Sequence, residues 1–268
     1  MSDQSEFATI LATRTAIMVT AESEIEIREC TTIEELSNCV SLQREVFALP
    51  EIEISPVRHF IVTRNAGGFT LGAFDRGQLI GFVLSVPAYL RGSRAFYSHM
   101  TAVRAGSQGS GIGAQLKWAQ RERALREGVK LIKWTFEPTK ARNAYFNLEK
   151  LGAVVRDYAE NFYGTDYATA PEQSEIGLAS DRLFAEWELE SEKVTAFANG
   201  STYVETRTPA ASINIPVDWY GLVAKDVKTA LNEQIRIRGE FQSALSRNLI
   251  CRGFERSGTT PKFLLFED

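Results

Sequence analysis

Apolar and polar residues alternate along residues 25–30 (IEIREC), placing Ile25 and Ile27 on one face of a half-buried strand. The period then lengthens. In TIEELSNCVSLQREVF, Ile33, Leu36, Val40 and Phe47 form a helical stripe behind a threonine N-cap, Thr31 or Thr32, with Glu34 and Glu35 in the first turn. Pro50 and Pro56 punctuate a loop before PVRHFIVTRNAGG, a short helix stopped by Gly67 and Gly68. Two β-rich runs, FTLGAFD and QLIGFVLSVPAYL, meet across Arg76 and Gly77 as a hairpin, and AFYSHMTAV is a third strand. A glycine-dense loop follows, then a run of helical spacing on which Ile112, Leu116 and Ala119 share one face. Lys117, Arg121 and Arg126 fall on or near its solvent side, and Gly128 closes it. VKLIKWTFE is the next strand, ARNAYFNLEKLG a short helix ended by Gly152, and AVVRDYAENFYG a further extended run.

This order, β-α-α-β-β-β-loop-α-β-α-β, predicts an α/β (α+β) fold: a mixed central sheet flanked by helices, antiparallel through the hairpin. It lacks the regular alternation of a dinucleotide-binding domain. From Thr165 the pattern changes. TDYATAPEQSEIGLAS is polar and small like a linker, and DRLFAEWELES is a strand with Leu183, Ala185 and Trp187 on one face. TYVETRT and SINIPVD predict short strands, Pro216 introduces one long helix through residue 249, and LICRGFERS and KFLLFED close as strands. The expected division is an N-terminal arm over 1–24, a main domain over 25–164 and a C-terminal α+β extension over 165–268. The arm has a modest apolar run broken by Arg14 and no basic segment before it, so it does not read as a signal peptide.

Charge and composition narrow the partners. The chain has 268 residues and a formal net charge of −4, which argues against nucleic acid or an anionic membrane as its main partner. No run approaches the roughly 18 consecutive apolar residues of a membrane helix. Cys30, Cys39 and Cys251 follow no metal or disulfide spacing, which suggests free thiols in a reducing cytoplasm. His59 and His99 are the only histidines, too few for a multi-histidine centre, and no metal is expected.

The chemistry concentrates in the glycine loop. Gln108, Gly111 and Gly113 stand as Q-x-x-G-x-G, with Gly106 and Gly109 beside them. Between a strand and a helix, such a loop turns backbone N–H groups and the positive end of a helix dipole toward one point, a site for phosphate. The spacing is neither the Rossmann fingerprint nor a P-loop, since Ile112 and Gly113 stand where the latter needs Lys and Ser/Thr.

With Thr101-Ala102-Val103 before the loop, Gln108-Gly109-Ser110-Gly111-Ile112-Gly113 within it and GAQLKWAQRERALREG after it, the sequence resembles the GNAT family of acyl-CoA-dependent N-acyltransferases. WTFEP, RNAYFNLEKLGA and ENFYG resemble a subgroup of acetyltransferases without a defined substrate. The resemblance implies that the N–H groups of Gln108, Gly109, Ser110, Gly111, Ile112 and Gly113 hold the pyrophosphate of acetyl-CoA. Thr101, Ala102 and Val103 would pair with its pantetheine arm. Asn143 and Asn147 are candidates to reach pantetheine amides, with capping or surface roles as the ordinary alternative. It also implies direct attack by an amine of a small molecule or peptide, with no covalent enzyme intermediate.

One departure matters. Counting back from Gly152, Leu148 occupies the position of the family's thiolate-protonating tyrosine and Ala141 that of its asparagine, while Ala144 matches. Tyr145, Tyr163 or water would then supply the proton. His99 and Glu137 are the candidate general bases, each with an ordinary alternative: a histidine satisfied in the sheet, and a carboxylate at a helix start. A non-catalytic acyl-CoA-binding or regulatory module is the rival reading. Trp187, Trp219, Arg236 and Arg238 are candidates for an acceptor pocket or a homodimer interface.

Overall fold

In the computed structural model, which describes residues 25–47, 49–167, 176–256 and 258–268, one mixed sheet runs through the molecule. The arm expected over 1–24 lies outside the described residues. The strands are β1 (Ile25–Glu29), β2 (Phe69–Asp75), β3 (Gln78–Leu90), β4 (Ser93–Val103), β5 (Leu131–Phe136), β6 (Val154–Ala159), β7 (Arg182–Glu188), β8 (Ala211–Asn214), β9 (Ile250–Glu255) and β10 (Lys262–Phe266). Their order across the sheet is β1-β2-β3-β4-β5-β7-β6-β9-β10-β8. The helices are α1 (Ile33–Phe47), α2 (Val57–Asn65), α3 (Ile112–Arg126), α4 (Ala141–Tyr145), α5 (Glu192–Ala198), α6 (Trp219–Lys225) and α7 (Val227–Ser246).

Two cores follow from the alternation of the strands. On one face, Leu36, Cys39, Val40, Leu42 and Phe60 of α1 and α2 pack on Phe74, Phe82, Leu84 and Ala102. On the other, Ile112, Leu116 and Ala124 of α3 pack on Phe69, Val83, Phe96 and Ile132. Gly81 lets α3 approach: a Cβ there would lie 3.1 Å from the Ala102 carbonyl oxygen and 3.2 Å from Leu116. The β2–β3 turn at Arg76 and Gly77 has positive φ at both residues, 49° and 80°, the twist that suits a two-residue hairpin. Cys30, Cys39 and Cys251 are free and buried.

The expected boundary at residue 164 does not interrupt the sheet. β7, which lies beyond it, inserts antiparallel between β5 and β6, with Ile132 opposite Trp187 and Val155 opposite Ala185. Trp187 is fully buried and donates its indole N–H to the Leu151 carbonyl at 2.7 Å. It is thus a core residue and not part of an acceptor pocket. β9 then joins β6 through Cys251 opposite Val155, and β10 and β8 continue outward under Ile237, Phe241 and Ala244 of α7.

Three expectations of local structure are corrected. TYVETRT forms no strand, and residues 192–198 form the unanticipated α5. The single long helix is two. Asp218 caps α6 through the Gly221 N–H at 2.9 Å, and Asp226, in extended conformation at φ −153°, caps α7 through the Thr229 N–H at 3.0 Å. An aspartate that can accept from the following turn favours a new helix start over continuation.

A chain ending at residue 164 would leave β5 and β6 without the strand between them. It is expected to lack cooperative thermal unfolding and near-ultraviolet circular dichroism; a sharp transition would show that the first 164 residues fold alone.

Candidate functional site

β4 and β5 are parallel neighbours, yet they pair only at Phe96 with Ile132 and Tyr97 with Lys133. Beyond these the strands diverge and leave a fork. A β-bulge sits at the same place: Leu84 faces Met100 and Ser85 faces Ser98, so His99 is the extra residue. An inserted residue reverses the alternation of faces. Met100 and Ala102 pack toward α1 and α2, Thr101 and Val103 face the other way, and upstream of the bulge Ser98 meets α3.

Backbone direction follows from the same register. Arg104 N–H donates to the Ile80 carbonyl at 2.8 Å, so alternate residues Ala102 and Met100 also turn their polar groups toward β3. Those of Thr101 and Val103 point into the fork, where the Val103 carbonyl accepts from the Gln108 side chain at 3.0 Å. Ala102, expected among the cofactor contacts, is therefore a core residue that faces away, 1% exposed.

The fork opens into a cleft of about 970 Å³. At one end lies the loop before α3. Gly109 and Gly111 have φ of 86° and 88°, and Gly111 is the left-handed N-cap of α3. Ser110 Oγ donates to the Ser107 carbonyl at 2.6 Å, and Gln108 N–H donates to the Ala105 carbonyl at 3.2 Å. The backbone N–H groups of Gly109, Ser110, Gly111, Ile112 and Gly113 have no acceptor within the described residues. The Ile112 side chain is core, 4% exposed, so only its N–H serves the loop. Gly113 needs no special φ; its place is spatial, because a Cβ there would point into open cleft, its nearest neighbour Val103 Cγ2 at 3.9 Å.

The remaining candidates separate clearly. Tyr145 and Asn143 line the cleft, whereas Leu148 is fully buried in the core. After Tyr145 the helix widens into a π turn over Phe146–Lys150, with the Leu151 N–H reaching the Phe146 carbonyl. A count back from Gly152 at α-helical spacing therefore falls out of phase. His99 also lines the cleft, beside Ser55 Oγ at 3.4 Å and the His59 ring at 5.3 Å between centroids. The surrounding protein and His59 push its pKa down to about 4, so the imidazole is neutral near pH 7 although water reaches it. Glu137 is set aside: Lys140 Nζ holds its carboxylate at 2.6 Å, and it is not on the cleft wall. Tyr163 shares a hydrogen bond with Thr135 at 3.2 Å.

Several lining groups carried no signal in the motif region. Val217, Asp218, Trp219, Tyr220 and Arg256 reach the cleft from the C-terminal part. Arg142, Lys150 and Arg256 form no carboxylate pair among the described residues and leave the mouth cationic in an acidic protein. Arg236 and Arg238 do not belong to the cleft: the first pairs with Glu233 and Glu240, the second with Asp181 and Glu160.

At the fork itself stands Lys117, expected on the solvent side but only 3% exposed. With Gly113, Gln120 and Ala124 it makes a second inward stripe of α3 at helical spacing, hidden in the sequence by its polarity. Its Nζ donates to Ser98 Oγ at 3.1 Å and lies 3.7 Å from the centroid of the Trp134 ring. Gln120 joins Ser98 at 3.1 Å and Ser85 at 2.7 Å. Burial drives the Lys117 pKa well below the ordinary lysine value. Loss of hydration costs an ammonium several kcal/mol, while a desolvated cation–π contact returns roughly 2 kcal/mol, so desolvation prevails.

A forked mixed sheet with a glycine loop of N–H groups left without acceptors at one end is an arrangement suited to a phosphate-bearing molecule laid along an open strand edge. Residues 33–153 match the acetyltransferase (GNAT) family, so this segment is a GNAT-family domain. Among solved structures, a GNAT-family protein from Desulfovibrio desulfuricans is 15% identical with a TM-score of 0.50, covering 62% of this chain and 99% of its own. The NatC complex bound to Gag peptide and CoA gives 16% identity and a TM-score of 0.50, covering 62% of this chain and 99% of that one. A GNAT acetyltransferase from Elizabethkingia anophelis with acetyl-CoA bound is 19% identical with a TM-score of 0.46, covering 62% and 98%. The two likenesses with a TM-score of 0.50 establish the fold. No protein of curated function matches the chain in sequence.

The Lys117 shift has a defined sign. Its folded pKa is depressed, so the unfolded chain binds a proton that the folded chain gives up, and stability rises with pH toward the ordinary lysine value. Lys117→Met is expected to stabilise the fold by about 1–2 kcal/mol at pH 7 and to flatten this rise. Urea denaturation between pH 6 and 10 checks both.

Proposed function

We propose that the cleft binds an acyl-CoA and that the protein transfers the acyl group to an amine of a small molecule or peptide. One observation carries this reading: the unpaired edge of β4 runs directly into a loop whose N–H groups have no acceptor within the described residues. The donor set fits the molecule. Five backbone N–H groups and the α3 N-terminus suit a pyrophosphate, and the open edge at Thr101 and Val103 suits the amides of pantetheine. The NatC complex, which shares this fold, has been solved with CoA bound, which supports the choice of carrier.

In the reaction so assigned, the acceptor nitrogen attacks the thioester carbonyl carbon and the carbon–sulfur bond breaks. His99, neutral and reached by solvent, takes the proton that the nitrogen sheds on attack. Tyr145 gives a proton to the departing thiolate, and Lys150 Nζ and Arg256 Cζ each lie 5.6 Å from its ring centroid. Nucleophilic cysteine has no part, because all three thiols are buried and none lines the cleft, and burial pushes Cys251 up to about 12.

Gly113→Phe separates binding from folding, since helix α3 accepts the residue while its ring fills the cleft. Calorimetry with CoA should show at least about a hundredfold weaker binding with an unchanged melting temperature; retained affinity would remove the pyrophosphate from this loop. Tyr145→Phe is expected to lower kcat by about 10²-fold with little change in KM, measured by thiol release over a panel of amines. Because His99 titrates near 4, its acid limb in kcat/KM should lie near that pH. A limb between 6 and 7 that disappears in His99→Gln would place its pKa elsewhere.

A further inference from the structure

Among the described residues, three side chains of the aspartate, glutamate, lysine and arginine types are deeply buried: Lys117, Asp181 and Glu186. Two are neutralised. Asp181 receives Arg238 at 2.9 Å, the Tyr158 hydroxyl at 2.5 Å and the Asn161 N–H at 3.0 Å. Glu186 meets Arg91, Arg156 and Lys133. Lys117 has one hydroxyl, Ser98, and the faces of Trp134 and Trp187 at 3.7 and 5.3 Å, with no carboxylate. It is also the only one of the three that lines the cleft.

Its position along the cleft is informative. Because His99 is bulged, the run from Val103 back to Ser98 spans only Gly81 to Ser85 on β3, about 13 Å at ~3.3 Å per residue, on the scale of a pantetheine arm. A carrier anchored at Gly109–Gly113 and laid along this edge brings its acyl group to the fork, beside Ser98, Trp134 and Lys117. A neutral acyl chain would bury the amine further and offer it no counter-charge. A carboxylate would restore the missing partner through a charge-assisted hydrogen bond in a water-poor pocket.

Resting on the acyl-CoA reading, we infer that Lys117 and Ser98 form the end of an acyl pocket that selects short acyl groups terminating in a carboxylate. Lys117 is then the specificity determinant for the acyl donor.

The test uses the full chain and pairs of donors matched in shape but not in charge: malonyl-CoA with isovaleryl-CoA, and succinyl-CoA with 4-methylpentanoyl-CoA. Free CoA is titrated first. Absence of CoA binding would overturn the acyl-CoA reading and this inference together. With CoA bound, the carboxylated member of the better pair should bind at least about tenfold more tightly than its neutral partner. Lys117→Met should abolish that preference. Equal affinities within both pairs of the unmutated protein, or a preference that survives Lys117→Met, would overturn the acyl-pocket assignment while leaving CoA binding intact. The unmutated comparison stands alone if the variant does not fold.

Discussion

The structure depends on two parallel strands that stop pairing. An unpaired strand edge inside a sheet exposes backbone groups that need partners, and adjacent strands ordinarily close over them. Here each strand is held from its far side. β4 is committed to the long antiparallel ladder with β3, from Gly81 opposite Val103 to Leu90 opposite Ser93. β5 is committed to β7 along its whole length, from Leu131 opposite Glu188 to Phe136 opposite Leu183. The bulge at His99 then turns the β4 edge away from β5 where pairing ends. Ser98, Lys117 and Trp134 fill the crotch, so the opening is a packed feature rather than a gap.

This makes the later part of the chain integral to the cleft. β7 holds β5, the Trp187 indole ties β7 to the end of the α4 segment at Leu151, and Trp118 and Trp134 pack edge-on against that same ring. The chain returns to the mouth through Trp219, Tyr220 and Arg256, where Tyr220 lies 5.0 Å from Lys140 Nζ by its ring centroid. A chain with net charge −4 thereby concentrates unpaired cations at one opening. Local charge, not the total, decides what such an opening attracts.

Much of the fold was legible because periodicity reports burial. The hairpin at Arg76-Gly77, the stripe of α1 and the Q-x-x-G-x-G loop each carry a local signal, and all three stand where that signal places them. The fork half of the cleft was less legible for a definable reason: its geometry depends on phase. One extra residue at His99 exchanges the faces of β4, and one π turn after Tyr145 rotates the helix that follows, so spacing rules written for regular elements miscount both. The domain boundary misled for another reason. A polar stretch after Thr165 looks like a linker, while the strand pairing that makes β7 a neighbour of β5 is non-local and leaves no trace in composition. Lys117 was hidden because a lysine on a helix is ordinarily a solvated residue.

The buried lysine also shows why polar burial must be sorted by charge balance before it is read as function. Gln43 is buried, but its amide exchanges hydrogen bonds with both the Ser55 N–H and the Ser55 carbonyl, and it needs nothing more. Gln120 is likewise satisfied by Ser85 and Ser98. Such groups fix local geometry at little net cost. Lys117 differs in kind: its hydrogen bond is made, yet its charge is not balanced. The folded chain therefore carries the cost of holding back a proton, and any ligand that supplies a negative charge at that point relieves it. By linkage, the stability forgone without ligand becomes affinity for one class of ligand over another. A penalty placed at the end of an open strand edge acts as discrimination, whereas the same lysine buried elsewhere in the core would only weaken the fold.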